Sequence, residues 1–401
     1  MKIGAFAMPT VAHKTELRKG LAGTRTDLYQ TMLDNLLELN QYLDEHGYYG
    51  MGFTEHHFHI EGGEISTNPV LLDLFLGLRT KNMKFGQLGN VMPQQHPIRL
   101  AEDISILDQM TKGRAFAGFA RGYQNRWLNT MGQQYPGLAS DEDPAAWDEA
   151  KQVLYEEHVE IVLKAMSNTT FSHKGNQWEI PPPNIKWPAA EYSRQFGQGI
   201  GDDDIVNEIG IAPPPYNKQM PDLFQPFTFS PKALKFGLEH DLVPISLITD
   251  PERANAQFLM AQEILSSGGR NPKFGEGMAI SREVIVADTD EEAEALARDA
   301  MSYLWLEFFT PFGFNGAFVR EGENVEDLDR DGGFDMLVER GMLIHGSPDT
   351  VNRRLEALFK ELPCAYFWNF TMNELVPHKQ MMRSFELQTE KVWPNFTDDI
   401  R

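Results

Sequence analysis

The sequence predicts an α/β fold, a closed (β/α)8 TIM-type barrel of parallel strands. Two observations lead there. Eight short apolar runs alternate with amphipathic segments along the chain, the pattern of parallel β/α units. No Gly-x-Gly-x-x-Gly turn follows the first run, which counts against an open nucleotide-binding sheet. At 401 residues the chain exceeds an average domain, but barrels of one unit routinely do so. A single domain over 1–401 is therefore expected.

Strand one is Lys2–Met8. In the helix near Asp27–His46, Leu28, Met32, Leu36, Leu39 and Leu43 recur at spacings of three and four, which puts them on one face. Strand two is Tyr48–Glu55, and a helix near Pro69–Thr80 leads to strand three, Lys84–Met92. Helix Ile98–Met110 carries Ile98, Ala101, Ile104 and Leu107 on one face before strand four, Arg114–Arg121. A long helix follows near Ala145–Met166. The rhythm then breaks over 168–222, which holds Pro181-Pro182-Pro183 and Pro213-Pro214-Pro215. A long irregular stretch inside a domain is a functional insertion or lid, or else a proline-stiffened surface loop.

Strand five is Leu223–Phe229, and Ser230-Pro231 opens the next helix, with serine as N-cap and proline at the first helical position. Strand six, Val243–Ile248, precedes a helix near Glu252–Ser267. Strand seven, Ala279–Ala287, leads through the capping pair Asp288-Thr289 into a helix over Glu291–Leu306. A second irregular stretch, 308–335, is dense in phenylalanine. Ser347-Pro348-Asp349 caps another helix, strand eight is Ala365–Phe370, and a last helix lies near Pro377–Trp393.

The 58 acidic and 36 basic side chains give a net charge of -22. Nucleic acid and anionic membrane surfaces call for a basic footprint, so both are disfavoured as partners. The one cysteine, Cys364, excludes an intrachain disulfide and a cysteine zinc cluster. It lies in the apolar run Cys364–Trp368 and is expected to pack as a small hydrophobe. No apolar stretch reaches the roughly 18 residues of a membrane helix, and the N-terminus lacks a signal-peptide pattern. A cytoplasmic enzyme is the expectation.

In barrels of this kind chemistry sits at the C-terminal ends of the strands. Strand two ends in Glu55-His56-His57. Metal binding, histidines satisfied in a loop, and acid/base work are all open there. Neighbouring strand residues face opposite sides, so His56 and His57 would not readily share an ion. His57 and His59 could, but the sequence places no carboxylate to complete the set. No metal is expected. Leu88-Gly89 ends strand three, where glycine lets a backbone pass close to a flat ligand. Arg121 ends strand four and suits a phosphate or carboxylate, or a structural ion pair. Ser230 starts a helix, whose free N–H groups attract anions.

Together the motifs Glu55-His56-His57-Phe58, Asn68-Pro69, His96-Pro97-Ile98-Arg99, Leu107–Arg114 and Gly118–Gly122 resemble the bacterial luciferase-like family of flavin-dependent monooxygenases, nearest to its catalytic α subunits. The resemblance is dense over 1–125, thinner over 223–300 and 340–395, and does not extend to 126–222 or 308–335. It implies a luciferase-like barrel that uses reduced FMN, supplied by a separate flavin reductase. Oxygen would add at flavin C4a, and the peroxyflavin would oxygenate a small apolar substrate such as an aldehyde or ketone. It implies that His56 is the catalytic histidine with Glu55 beside it. Phe6 and a non-proline cis peptide at Leu88-Gly89 would touch the flavin ring, and Arg121 and Ser230 its phosphate. A homodimer or a dimer with a related subunit is implied as well.

The chain departs from the luciferase pattern at four positions. Ala120 stands for a cysteine, Val153 near a second phosphate arginine, Ala233 for a threonine, and Ile248 for a pocket tryptophan. Lys151 or Arg126 is the candidate to replace the missing arginine, and Ile248 argues against light emission. Two alternatives remain: a deazaflavin-dependent hydride-transfer enzyme on the same barrel, and a non-catalytic flavin-binding subunit. The retained Glu-His-His run and Arg121 count against the second.

Overall fold

The computed structural model describes residues 1–135, 138, 143–371 and 374–400. One sheet contains β1 (Lys2–Ala7), β2 (Gly50–Phe53), β3 (Lys84–Val91), β4 (Ala115–Ala120), β5 (Asp222–Pro226), β6 (Val243–Ser246), β7 (Ala279–Val286), β8 (Leu343–Gly346) and β9 (Tyr366–Thr371). Its order is β8-β7-β9-β1-β2-β3-β4-β5-β6, and a further β6–β7 pairing closes it. The eight expected strands are β1 to β7 and β9, and they form the parallel barrel. β8 was not expected. Its four residues lie directly before the Ser347 helix cap, too few to show a period. β7 makes room for it by changing partners. Ala279 and Ile280 pair with Ile245 and Ser246 of β6, whereas Glu283–Val286 pair with Leu343–Gly346 of β8.

Contacts divide the chain into two units, Met1–Gly89 with Leu223–Arg401, and Asn90–Asp222. In the first, all eight positions of β7 are buried, as parallel strands covered on both faces require. Tyr366, Trp368 and Phe370 alternate on one face of β9. Trp368 lies 5.7 Å from Tyr49 and 5.4 Å from Phe224. A Cβ on Gly4 would lie 2.3 Å from the Trp368 ring, so only glycine fits opposite that tryptophan. Two residues further on, Phe370 is in register with Phe6, and their rings are 5.1 Å apart.

The phenylalanine-rich stretch is largely helical, in contrast to the expectation. The helix starting at Asp290 runs through two wide turns, Ala297–Met301 and Trp305–Phe309. Short helical turns follow at Thr310–Phe312 and Phe314–Ala317, and a helix at Val325–Asp331. Phe309 and Phe318 pack on Trp305 at 5.0 and 5.5 Å, Phe308 on His59 at 5.5 Å, and Phe312 is exposed.

In the second unit, helix Pro144–Ser167 organises the other insertion. Buried Glu157 accepts hydrogen bonds from the Gln177 and Trp178 amides at 2.9 and 3.0 Å and lies 3.2 Å from His173. The hairpin His173–Lys174 with Glu179–Ile180 results. Bridges Phe171–Ile209, Lys186–Ile205 and Ile200–Val206, and a helix over Ala190–Phe196, fold the remainder. A buried carboxylate on a distant helix satisfies backbone that local pattern leaves unassigned.

Cys364 is half-buried, and burial pushes its thiol up to about 12, so it is no thiolate nucleophile. Among the described residues no helix is long and apolar enough to cross a membrane.

Candidate active site

β2 ends at Phe53, earlier than expected, so Thr54–His59 is not strand. The alternation argument therefore does not apply to His56 and His57, yet the two rings do take different partners. His56 Nδ1 lies 3.0 Å from Thr54 Oγ1, and its Nε2 lies 3.3 Å from Glu64 Oε1. His57 Nε2 lies 3.1 Å from Glu55 Oε1. Glu55 thus holds His57. His59 Nδ1 lies 3.2 Å from Glu64 Oε2, so Glu64 joins His56 to His59, a pair the sequence reading did not link. Nothing in the run Glu61-Gly62-Gly63-Glu64 marks that carboxylate beforehand.

Glu64 is 1% exposed and sits at φ 53; Phe58 and Phe227 are also left-handed, at φ 66 and φ 55. Such backbone in non-glycine residues costs on the order of 1–3 kcal/mol each and concentrates at functional sites. Burial holds His56 well below the usual histidine range, and His59 and His57 push the same way. Its imidazole is therefore neutral at neutral pH and offers one donor and one acceptor. Among the described residues no group of three or more His, Cys, Asp or Glu has a metal-binding arrangement.

The Leu88–Gly89 peptide is cis. Leu88 packs over Gly52, where a Cβ would lie 2.6 Å from Leu88 Cδ1. Next to it, Gln87 donates to Asp73, whose carboxyl burial pushes well above the usual carboxylate range, against the pull of that bond. Phe6 contacts Phe227 at 5.6 Å in addition to Phe370. Ser230 caps helix Pro231–Glu239, its Oγ accepting from the Ala233 amide at 3.2 Å. The hydroxyl proton is left to donate.

In the second unit, Arg121 Nη1 lies 3.1 Å from Asp148 Oδ2 and 3.2 Å from Gln152 Oε1. Lys151 Nζ lies 3.3 Å from Asp148 Oδ1 and 3.8 Å from the centre of the Trp147 ring. Burial works to raise the Asp148 carboxyl, but Arg121 and Lys151 together hold it below the usual range. Two cations therefore converge on the two oxygens of one carboxylate. Lys151, named from sequence only as a substitute, shares an anion with Arg121; Asp148 was not foreseen at all.

A family model described as luciferase-like monooxygenase matches residues 1–364. The chain is 25% identical over 303 residues to 3,6-diketocamphane 1,6-monooxygenase of Pseudomonas putida, covering 73% of this chain and 74% of that one. It is 35% identical over 101 residues to an alkanal monooxygenase alpha chain of Photorhabdus luminescens, 25% of this chain and 28% of that one. Among solved structures, the oxygenating constituent of 3,6-diketocamphane monooxygenase from Pseudomonas putida, a type II Baeyer-Villiger monooxygenase in complex with FMN, aligns over 99% of both chains with a TM-score of 0.74 at 21% identity. That likeness carries the fold. With a family model spanning nearly all of the barrel, the chain belongs to the luciferase-like monooxygenase family.

Proposed function

We propose that this monooxygenase uses reduced FMN and O2 to oxygenate a small apolar aldehyde or ketone. The observation that carries the cofactor reading is the donor set on Asp148. A rigid guanidinium fork and a lysine ammonium already bind one two-oxygen anion, and the same donors suit a phosphate monoester. On the second unit Arg121 and Lys151 are the phosphate candidates of this reading, and on the first unit the Ser230 hydroxyl is. Phe6 and the Leu88–Gly89 peptide would lie against the ring. When bound, reduced flavin supplies the electrons that activate oxygen. The protein's part is to orient, exclude water and manage protons.

His56 is the acid/base in this reading. Its neutral ring can take a proton at one nitrogen while the other stays hydrogen-bonded. Glu64 and Thr54 fix its orientation, and Glu55 keeps His57 out of that role. A flavin reductase would supply the reduced cofactor in the cytoplasm, and the enzyme would work as a homodimer or a dimer with a related subunit.

The reading predicts tighter binding of reduced FMN than of FAD, because the donor set is matched to a terminal phosphate. Anaerobic equilibrium titration measures this, and equal or tighter binding of FAD or a deazaflavin would overturn it. Segments 190–220 and 308–335 are proposed as lid elements. Hydrogen exchange in both should slow when reduced FMN binds; unchanged exchange in both segments removes the lid.

A further inference from the structure

Glu283 is the one acid on β7, 3% exposed, and it is not used by the chemistry above. It shares a register position with Phe370, which is itself in register with Phe6. Paired residues of parallel strands point the same way, so Glu283 joins the face that carries Phe6. Trp305, its hydrogen-bond partner, lies 5.6 Å from Phe370 and 6.4 Å from Phe314, and Phe314 lies 6.2 Å from Phe227. Among the described residues the Glu283 side chain has one hydrogen-bond partner, the Trp305 indole N–H, which donates to Oε2 at 2.8 Å.

Among the described residues no charge is paired with this carboxyl. Arg282, the next residue on β7, faces the other way and donates to the carbonyls of Ser246, Ser281 and Ile248. On β8 the nearest titratable group is His345, packed against Phe334. On the helix that carries Trp305, Asp299 pairs with Lys14 and Glu307 with Arg18. Burial, opposed only by the Trp305 bond, pushes Glu283 up to about 8. A buried carboxylate without a counter-charge is disfavoured, so the group keeps its proton at neutral pH. Trp305 occupies Oε2, which leaves the Oε1 hydroxyl as a donor. Binding pockets are mostly apolar with a few placed polar groups, and a neutral acid in an apolar wall is a strong, directed donor.

We infer that Glu283 is the substrate anchor: its protonated carboxyl donates a hydrogen bond to the carbonyl oxygen of the substrate from within the aromatic wall of Phe6, Phe227, Trp305, Phe314 and Phe370. This rests on the carbonyl-substrate reading above. The anchor holds the carbonyl and polarises it while His56 handles the proton. Ionisation of Glu283 removes the donor, so the contact is complete below its raised pKa and is lost as pH rises through about 8.

The test uses the full chain under anaerobic conditions with reduced FMN, with camphor and its parent hydrocarbon camphane as probes. Infrared difference spectra of wild type against Glu283→Gln should show a protonated carboxyl band at pH 7 that disappears as the pH passes about 8. The carbonyl stretch of bound camphor should be lowered in wild type. Glu283→Leu should abolish that shift and weaken camphor about tenfold, the worth of one hydrogen bond, with camphane binding unchanged. Glu283→Gln keeps a donor that cannot ionise, so the loss of camphor affinity above pH about 8 should vanish in it. A structural role alone would move stability and neither the carbonyl frequency nor the pH profile. An ionised Glu283 at pH 7, an unshifted carbonyl band, or wild type that fails to prefer camphor over camphane overturns the anchor. The monooxygenase reading fails separately, if reduced FMN and O2 give no oxygenated product from any aldehyde or ketone.

Discussion

His56→Ala is expected to lower substrate oxygenation about 10²–10⁴-fold, the usual contribution of a positioned acid/base. FMN affinity should hardly change, because phosphate contacts supply most of the anchoring. Reducing equivalents should then appear as hydrogen peroxide in place of product. His57→Ala is the control, since that ring is bound to Glu55 while His56 is bound to Thr54 and Glu64. Single-turnover reactions with reduced FMN and O2, following product and peroxide together, separate the two. Near-normal coupling in His56→Ala would reassign His56 to packing, and equal damage from His57→Ala would break the distinction between the rings. Burial holds His56 below the usual histidine range. Any loss of rate from its protonation should therefore fall on the acid side of that range.

Arg121→Ala is expected to weaken reduced FMN by about 1.5–3 kcal/mol, the range for a hydrogen bond to a charged group, or roughly 10–150-fold in Kd. Asp148 makes the prediction two-sided. Its carboxylate now engages both Arg121 and Lys151, so an incoming phosphate must displace it. Asp148→Asn leaves both cations in place and removes the competing charge, and should tighten FMN binding. Anaerobic titration of the two variants reads both signs. If Arg121→Ala bound FMN as wild type does, Arg121 would be a structural ion pair, the other role open to a strand-end arginine.

Barrel order was legible in the chain because strand and helix periods are local. Each of the eight apolar runs became a barrel strand, and Ser230-Pro231 and Ser347-Pro348 mark helix starts, although only Ser230 caps its helix through its side chain. The strand-end logic singles out His56, Arg121 and Ser230 as candidates, because chemistry in a parallel barrel sits at those ends. What each side chain touches was not legible. Glu64 reaches His56 and His59 only because Glu64 and Phe58 take left-handed backbone, a conformation that residue type does not announce. Glu283 reads as one polar residue among several in β7; that burial raises its pKa against the pull of the Trp305 bond is not visible there. Lys151 meets Arg121 only through Asp148, and Glu157 folds the hairpin of the 168–222 insertion from a helix that precedes it. Period and capping are properties of neighbours in sequence, whereas charge pairing and desolvation depend on which distant segments close over a group, and that the tertiary structure alone decided.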